Sequence, residues 1–392
     1  MSTATLITGL GAISAAGADV NQTLASFKDC HRDPRPTSLF KTELDQPVFE
    51  VASPLPLDPD HHFPSRTAAL ACIAVEEALR GAGDPQRDNA LRIGVSLGTT
   101  VASQLNSLEF YREFRDTSQP DLDPVRNFLC GNLAEFVGER FRLKGPRTTV
   151  VNACSSGTDA IGIGLSWIRA GLCDLVIAGG ADELNRVPLA GFNSLGIMSA
   201  NPCRPFDGNR DGLNLGEGAG VVILESQSSA AARGIEPNVS LAGYGAACDA
   251  YHMTAPHPEG VGLKLAVRSA LDQAGAAPAD VSFVNAHGTA TPDNDKIEGN
   301  ALAEIFGRDL LFCSTKGRTG HTLGAAGGLE AVFTACGLKH GWIPGNAGFS
   351  DPDPEIPINP VTEKTQVQGA AAVSTSLAFG GNNAAIVLRR AG

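Results

Sequence analysis

The stretch V-V-N-A-C-S-S-G at residues 150–157 has a counterpart in F-V-N-A-H-G-T-A at residues 283–290. Each is a short apolar run that ends in Asn-Ala and then presents one reactive side chain, Cys154 in the first and His287 in the second. Short apolar runs bounded by turn residues are typical of buried strands. We therefore expect two strands of the same design, each with a chemical group at its end.

Two more pairs of similar segments occur in the same order along the chain. T-L-I-T-G-L-G at Thr5 matches V-S-L-A-G-Y-G at Val239, and G-E-G-A-G-V-V-I-L at Gly216 matches G-G-N-N-A-A-I-V-L at Gly380. Self-similar segments in matched order predict two copies of one supersecondary plan. The seam between the copies is expected at residues 233–238.

The chain is accordingly predicted to have two α/β halves, 1–235 and 236–392, because strand-like runs alternate with helical stretches in both. No low-complexity linker separates them, so any site is expected at their junction. Two segments that lack a sustained period, 33–57 and 106–127, are expected to be cap or interface insertions. The predicted strands cover 5–9, 92–98, 148–152, 174–179, 219–225, 239–243, 281–286, 311–314, 371–376 and 384–389, with helices near 262–275, 295–306 and 324–339.

Composition excludes several classes of protein. Hydrophobic residues make up 43% of the chain and charged residues 18%, with 45 glycines, which fits close-packed α/β layers. The formal net charge of -12 argues against nucleic acid as a partner. The 9 cysteines stand singly, without zinc or disulfide spacing, which indicates a reducing, cytoplasmic location. The N-terminal segment lacks the basic start and apolar core of a signal peptide, and the sequence contains no long apolar run. Neither export nor a membrane span is therefore expected.

Cys154 is the strongest candidate for a nucleophile. It follows a β-branched run and precedes S-S-G-T-D-A-I-G, which can start a helix with Ser155 or Ser156 near its cap. A helix N-terminus favours a thiolate and offers N–H donors to an oxyanion. The alternative is a small buried cysteine with only a packing role.

Two histidines are candidates for acting with this cysteine. His287 and His321 both lie in glycine-rich segments, N-A-H-G-T-A-T-P and S-T-K-G-R-T-G-H-T-L-G. Thr289, Thr291 and Lys316 lie close to them in the sequence. The alternative for each histidine alone is a structural residue, but Cys154 and the pair together form a nucleophile with two imidazole donors.

These motifs resemble those of the elongating, Cys-His-His type of β-ketoacyl-acyl-carrier-protein synthase in dissociated fatty-acid and polyketide systems. The resemblance covers nearly the whole chain and includes A-G-G-A-D at Ala178, R-P-F-D-G-N-R-D-G at Arg204, D-A-Y-H-M-T at Asp249 and A-F-G-G-N-N at Ala378. It implies the thiolase fold, with duplicated βαβ-rich halves in five α-β-α-β-α layers and usually a dimer. It also implies an acyltransferase that catalyses decarboxylative condensation.

The resemblance assigns roles to individual residues. Cys154 would carry the acyl group, His287 and His321 would bind the malonyl thioester carbonyl, and the amides of Cys154 and Phe379 would form the oxyanion hole. Further residues are implied as an ion pair beside the histidines, as acidic supports, as contacts for a phosphopantetheine arm and as a gate: Lys316 with Glu330, Asp295 and Glu298, Thr289 and Thr291, and Phe379. Ordinary surface charge is the alternative for these four charged residues, and it fits Glu298 better than it fits Lys316.

The same resemblance implies the partners. Substrates would arrive on an acyl carrier protein, and no separate cofactor is expected. The chain departs from the family in a short segment before R-P-F-D and in S-L-A-F-G-G, where Leu377 and Ala378 replace Phe and Gly. These departures, together with G-Y-G-A-A-C-D-A-Y-H-M-T-A-P-H-P-E-G at residues 243–260, resemble ketosynthase subunits of bacterial aryl-polyene pathways. Either a homodimer or a heterodimer with a chain-length-factor-like homologue is therefore expected.

Three other interpretations are open at the level of sequence. A thiolase-like acyltransferase would use a second cysteine near the carboxyl end, and no C-x-G motif follows Phe379. A non-catalytic chain-length subunit would lack the nucleophile that Cys154 supplies. A dinucleotide-binding protein would need G-x-G-x-x-G after the first strand, but Ser14 occupies the last position.

Overall fold

The computed structural model of the chain describes residues 4–29, 32–52, 55, 65–103, 107–130 and 132–391. Within them the strands are β1 Thr5–Ser14, β2 Ile93–Gly98, β3 Arg147–Val150, β4 Leu175–Asp182, β5 Gly218–Ser226, β6 Val239–Cys248, β7 Val281–Asn285, β8 Phe312–Cys313, β9 Trp342–Ile343, β10 Thr365–Gln366, β11 Ala371–Ala378 and β12 Asn382–Arg390. The helices are α1 Val20–Asp29, α2 Arg66–Gly81, α3 Leu108–Thr117, α4 Asp123–Cys130, α5 Leu133–Arg140, α6 Ser156–Arg169, α7 Arg186–Ser194, α8 Gln227–Ala232, α9 Val261–Ala274, α10 Pro292–Phe306, α11 Lys316–Thr319 and α12 Ala326–His340.

All ten predicted strands are confirmed, and ten strands form one hydrogen-bonded sheet in the order β3-β2-β4-β5-β1-β6-β12-β11-β7-β8. Numbered within each half, the order is 3-2-4-5-1 on one side and its mirror, 1-5-4-2-3, on the other. The pairing is also repeated, because the outer two pairs of each half are parallel and the inner two are antiparallel. The duplication expected from the sequence is therefore a repeat of topology.

The halves meet along β1 and β6, which pair antiparallel from Thr5 opposite Leu241 to Ile7 opposite Val239. The segment between α8 and β6 contains the predicted boundary at 235, and that boundary stays a prediction. The short pair β9 and β10 was missed, since two-residue strands leave no pattern to read.

Each half of the sheet forms one β layer. Helices lie between the two β layers and on the outer face of each, which gives the five α-β-α-β-α layers of the thiolase fold. The central layer is α6 and α12, whose apolar side chains pack against both halves of the sheet, as with Leu165 and Val332. On one outer face α2 packs against β1, β4 and β5 and buries residues such as Leu70. On the other, α9 packs against β6, β11 and β12, and α10 packs on α9, with Val267 and Leu302 buried in the same core.

The central helices pack so closely that glycine is required at their contact. A Cβ on Gly157 of α6 would lie 2.7 Å from the carbonyl oxygen of Gly324 and 2.8 Å from the amide nitrogen of Gly328. Both separations are shorter than real Cβ atoms show. This contact brings the first turn of α6 against the segment that follows His321.

The segment 106–127, which was expected to be a cap or interface insertion, contains α3 and the first part of α4. None of the ten residues of α3 is buried, and Tyr111 and Phe114 are about half exposed, so the helix has no core face in the single chain. Parts of the two insertions, 53–54, 56–57 and 106, lie outside the described residues. No helix in the described part of the chain is long and apolar enough to cross a membrane.

Candidate active site

The turn between β3 and α6, which carries Cys154, has a strained backbone. The preceding residue, Ala153, has a φ of 48°, in the left-handed region that costs energy for a residue with a Cβ. Its carbonyl oxygen accepts hydrogen bonds from the amide of Ser156 at 3.2 Å and the hydroxyl of Ser156 at 2.6 Å. The turn therefore presents Cys154, which is only 5% exposed, at the first turn of the helix.

Neither serine caps the helix in the way expected from the sequence. Ser155 precedes the first residue of α6, but its hydroxyl oxygen lies 2.9 Å from the carbonyl oxygen of Asn152 and 2.8 Å from Asp159, and either can accept its single proton. The hydroxyl of Ser156 accepts a hydrogen bond from the amide of Asn152 at 2.8 Å. Both side chains brace the turn instead of satisfying free amides of the helix.

His321 is the closest imidazole to the nucleophile. Its Nε2 lies 3.0 Å from Sγ of Cys154, and the side chain is buried. No hydrogen-bond partner of Nδ1 is found among the described residues. Because a buried N–H without an acceptor is costly, the proton is better placed on Nε2, facing the sulfur.

His287 lies beside His321, with ring centroids 5.3 Å apart and planes at 88°. Nζ of Lys316 lies 3.2 Å from Nδ1 of His287 and donates to its carbonyl oxygen at 2.7 Å. Lysine has only donors, so Nδ1 is the acceptor and Nε2 carries the proton. Lys316 also forms an ion pair with Glu330, and both side chains are almost fully buried.

Two carboxylates of α10 fix the loop that carries His287. Glu298 accepts from the amides of His287 and Gly288, both at 2.8 Å. Asp295 accepts from the amide of Ala290 at 3.1 Å. Both carboxylates are fully buried, so the alternative of surface charge was wrong for Asp295 and Glu298.

Burial dominates the protonation of the reactive groups. It raises the pKa of Cys154 to about 12, although the charge of Lys316 and the amide of Phe379 act in the opposite direction. The resting sulfur is therefore a thiol, against the expectation of a thiolate at the helix N-terminus. Burial, reinforced by Lys316, lowers the pKa of His287 and His321 well below 6.5, so both rings are neutral at pH 7.

The three reactive side chains line one pocket of about 310 Å³. Thr289 and Thr291 are on its wall, with their hydroxyl oxygens 2.9 Å apart. Phe379 closes another side and stacks on Phe192 at 5.4 Å between ring centroids, with planes at 18°. The structure thus brings together Cys154, both histidines, both threonines and Phe379, and it places Lys316, Glu330, Asp295 and Glu298 behind them.

Comparison with protein families gives matches across this arrangement. The β-ketoacyl synthase N-terminal domain matches residues 58–230, and the β-ketoacyl synthase C-terminal domain matches residues 239–350. The chain is also 34% identical over 98% of its length to 3-oxoacyl-[acyl-carrier-protein] synthase 2 of Staphylococcus aureus, 98% of which is covered. The chain belongs to the β-ketoacyl synthase family.

Solved structures of other β-ketoacyl synthases have the same fold over essentially their whole length. The ishigamide ketosynthase/chain length factor has a TM-score of 0.91 and 32% identity, with 100% of both chains covered. The ketosynthase ApeO from Xenorhabdus doucetiae, solved with its chain length factor ApeC, has a TM-score of 0.83 and 30% identity, with 99% of this chain and 98% of that chain covered.

The site of this β-ketoacyl synthase contains two carboxylates that sequence reasoning missed. Asp182 ends β4 in the A-G-G-A-D stretch, and Asp159 lies in the first turns of α6. Asp159 accepts from Asn152 at 2.6 Å, Ser155 at 2.8 Å and Tyr244 at 2.8 Å. An acidic residue at the end of an otherwise apolar run could have identified Asp182, and an acidic residue directly before the apolar run A-I-G-I-G-L could have identified Asp159.

Proposed function

We propose that this β-ketoacyl synthase joins an acyl group held on Cys154 to the α-carbon of a malonyl thioester, with loss of carbon dioxide. The observation that carries the proposal is the convergence of one thiol and two imidazoles in one pocket. Sγ of Cys154 lies 3.0 Å from Nε2 of His321, whose ring centroid lies 5.3 Å from that of His287. One substrate carbonyl can reach all three groups.

In the first half-reaction the sulfur of Cys154 attacks the carbonyl carbon of an acyl thioester. A sulfur–carbon bond forms to the enzyme, the carrier's carbon–sulfur bond breaks, and the thiol proton goes to the departing thiolate. The developing oxyanion is stabilised by the amides of Cys154 and Phe379 in this proposal. Support comes from the Phe379 amide, which already donates a hydrogen bond to the sulfur.

In the second half-reaction a malonyl thioester occupies the emptied side of the pocket. Its carbon–carbon bond to the carboxylate breaks, carbon dioxide leaves, and Nε2–H of His287 and of His321 stabilise the negative charge on the thioester oxygen. The α-carbon then attacks the acyl carbon on Cys154, and the sulfur leaves as a thiolate that is reprotonated. Neutral imidazoles suit this role, because each offers one N–H donor without a competing full charge.

The buried charges behind the pocket are proposed to hold these donors in place. Lys316 fixes the tautomer of His287 through Nδ1, and Glu330 compensates the lysine charge. Asp295 and Glu298 hold the loop through backbone amides. Each of these residues acts on the reaction through His287, so they are positioning residues.

Substrates are proposed to arrive on the phosphopantetheine arm of an acyl carrier protein. Thr289 and Thr291 lie on the pocket wall and offer hydroxyls to the amides of such an arm. Phe379 is proposed as the gate between this entrance and the acyl side. The name of the Staphylococcus aureus relative includes an acyl carrier protein as part of its substrate, which supports the assignment.

A second ketosynthase-like subunit is proposed to complete the enzyme, either a copy of this chain or a chain-length-factor-like homologue. Two similar solved structures contain a chain length factor. Support in this chain comes from α3, which has no buried residue, and from Val151, 55% exposed beside the edge strand β3. The net charge of -12 supports a partner that supplies part of the dock for an acidic carrier protein. A fully active homodimer purified alone would argue against the heterodimer.

The pathway is part of the proposal as well. The resemblance of the segment at residues 243–260 and of Leu377 and Ala378 to aryl-polyene ketosynthases supports a polyene product over an ordinary fatty acid. A cytoplasmic location is proposed because the seven cysteines whose side chains the structure describes are all free thiols.

The experiment is a two-step assay with intact-mass detection. The enzyme is first exposed to a panel of acyl-carrier thioesters, and each accepted acyl group adds its mass at Cys154. Malonyl-carrier thioester is then added, and the expected result is loss of the added mass with formation of a 3-oxoacyl-carrier product. Acyl-enzyme that persists after malonyl addition would contradict the proposal.

The same assay separates the two alternatives. A non-catalytic chain-length subunit would show no added mass with any thioester. A thiolase-like acyltransferase would condense an acetyl thioester without releasing carbon dioxide, and it would need a second thiol in the pocket. Among the described residues that line the pocket, Cys154 is the sole cysteine.

A further inference from the structure

A single buried carboxylate connects loops from the two halves of the molecule behind the pocket. Asp182, fully buried at the end of β4, accepts from the hydroxyl of Thr99 at 2.6 Å and from the amides of Thr100 at 2.9 Å and Val101 at 2.8 Å. Its other hydrogen bond comes from the amide of Gly324 at 2.7 Å, in the second half. One side chain therefore organises two loops that are far apart in sequence.

The first loop reaches the nucleophile. The hydroxyl of Thr100 donates to the carbonyl oxygen of Ala153 at 3.1 Å. Ala153 is the residue with a φ of 48° that directly precedes Cys154. A strained conformation persists only where its surroundings hold it, and this hydrogen bond is one of those restraints.

The second loop reaches the imidazole. Gly324 follows His321 by three residues, in a short 3₁₀ turn at Leu323–Ala325 that leads into α12. Leu323 itself has a φ of 51°, a second strained residue beside the reactive group. The hydrogen bond from the amide of Gly324 to Asp182 fixes the position of this turn.

The two loops pack so closely at Asp182 that a side chain larger than hydrogen does not fit at the glycines between them. A Cβ on Gly324 would lie 2.8 Å from the carboxylate of Asp182 and 2.8 Å from the amide nitrogen of Thr100. A Cβ on Gly180, two residues before Asp182, would lie 2.2 Å from the carbonyl oxygen of Gly324. The two loops are thus packed on the carboxylate at backbone distance.

We propose that Asp182 is a positioning residue that, through Thr100 and Gly324, sets the separation between Sγ of Cys154 and Nε2 of His321. The inference rests on the proposed function for the meaning of that separation. The carboxylate touches neither substrate nor reacting atom, and its effect passes through the two loops. Every group that faces the side chain of Asp182 is a donor, so the NH₂ of an amide at this position would oppose one of them.

The test measures the reactivity of Cys154 with iodoacetamide from pH 6 to pH 9, resolved by peptide mass spectrometry. The variants are Thr100→Val, which removes the hydroxyl that reaches Ala153, Thr100→Ser, which keeps it, and Asp182→Asn. Exposed Cys248 in the same molecules is the internal reference for the reagent. We expect Thr100→Val and Asp182→Asn to slow alkylation of Cys154 at least about tenfold and to change its pH profile, because small misplacements have large kinetic effects.

Ser96→Ala is the matched control. Ser96 lies on β2, and its buried hydroxyl donates to the carbonyl oxygen of Ala160 at 2.8 Å, in the helix that follows Cys154. Ser96→Ala removes one side-chain hydrogen bond to a backbone carbonyl, as Thr100→Val does, but that bond reaches neither loop. We expect Ser96→Ala to leave the alkylation profile of Cys154 at the wild-type position, and Thr100→Ser to recover most of the wild-type reactivity.

The outcomes separate this inference from the proposed function. Wild-type reactivity in folded Thr100→Val and in folded Asp182→Asn would overturn the inference even if the enzyme makes a 3-oxoacyl product. If Asp182→Asn does not fold, Thr100→Val decides the question alone. Slowed alkylation in the variants, with no condensation by wild type under any condition, would support the positioning role and reject the proposed function.

Discussion

Nε2 of His321 lies 3.0 Å from Sγ of Cys154, although the two residues belong to different halves of a duplicated sheet. Neither half has the pair by itself, because β3 and α6 position the sulfur while the turn after α11 positions the imidazole. The close contact of α6 with the segment after His321 keeps the halves in register at this point. The reactivity of the sulfur therefore depends on how the halves pack.

Replacement of the nucleophile gives the first prediction. Cys154→Ala should form no acyl-enzyme, because no other thiol lines the described pocket, and intact-mass spectrometry after exposure to an acyl-carrier thioester measures this. Cys248→Ala is the control, since Cys248 is exposed and would capture acyl groups nonspecifically. Equal acylation of wild type and Cys154→Ala would remove Cys154 from the mechanism.

Removal of one imidazole should affect the two half-reactions differently. His287→Ala is expected to keep acylation of Cys154 and to lose malonyl decarboxylation by about 10²- to 10³-fold, the range for loss of one oxyanion donor. Release of labelled carbon dioxide from carboxyl-labelled malonyl-carrier thioester is the measurement. His340→Ala changes an exposed histidine at the end of α12 and should behave as wild type. Equal loss of both half-reactions would contradict separate roles.

The buried pair of Lys316 and Glu330 should matter for stability as well as for activity. Lys316→Met leaves the carboxylate of Glu330 buried without its partner, which typically costs 3–5 kcal/mol, roughly, in the free energy of unfolding. Changing both, as Lys316→Met with Glu330→Leu, should cost less than Lys316→Met alone. Urea-induced unfolding of each variant measures these differences.

An exposed ion pair of the same residue types is the control for that experiment. Lys296 pairs with Glu355 at the surface, so Lys296→Met should cost no more than about 1 kcal/mol. If Lys316→Met cost no more than Lys296→Met, the buried pair would have no special structural role.

Strand positions were readable in the sequence because buried parallel and central strands need continuous apolar runs, as at β4 and β5. The reactive residues were readable because chemistry restricts the choice of side chain at Cys154 and His287. The α3 helix could not be predicted from the sequence, because its apolar residues face outward in the single chain and therefore do not follow a core pattern.

The supporting carboxylates could not be assigned from sequence for a different reason. Asp182 and Asp159 accept hydrogen bonds from groups up to 142 and 85 positions away, and those distances exist only after the halves have packed. The charge state of Cys154 was predicted wrongly for a similar reason. Local sequence shows the helix N-terminus, but the burial that raises the thiol pKa comes from tertiary packing.

Asp182 gives a prediction about pH. Burial raises its pKa in the folded protein from 3.8 to about 7. Between these values the folded state holds a proton that the unfolded state has released, so the contribution of Asp182 to stability is present at low pH and is lost as pH rises through about 7. The free energy of unfolding of wild type, relative to Asp182→Asn, should therefore fall by roughly 2 kcal/mol between pH 5 and pH 8.

Asp174→Asn is the matched control for that measurement, because its hydrogen bonds and ion pair with Arg92 lower the pKa of Asp174 below 3.8. A carboxyl with a lowered pKa contributes stability that is lost only as pH falls below 3.8 towards that lowered pKa. The difference in the free energy of unfolding between wild type and Asp174→Asn should therefore be constant from pH 5 to pH 8. Urea unfolding at four pH values gives both curves. Parallel pH dependence for wild type and Asp182→Asn would mean that the buried carboxylate is already ionised at pH 5, with its four donors outweighing the cost of burial.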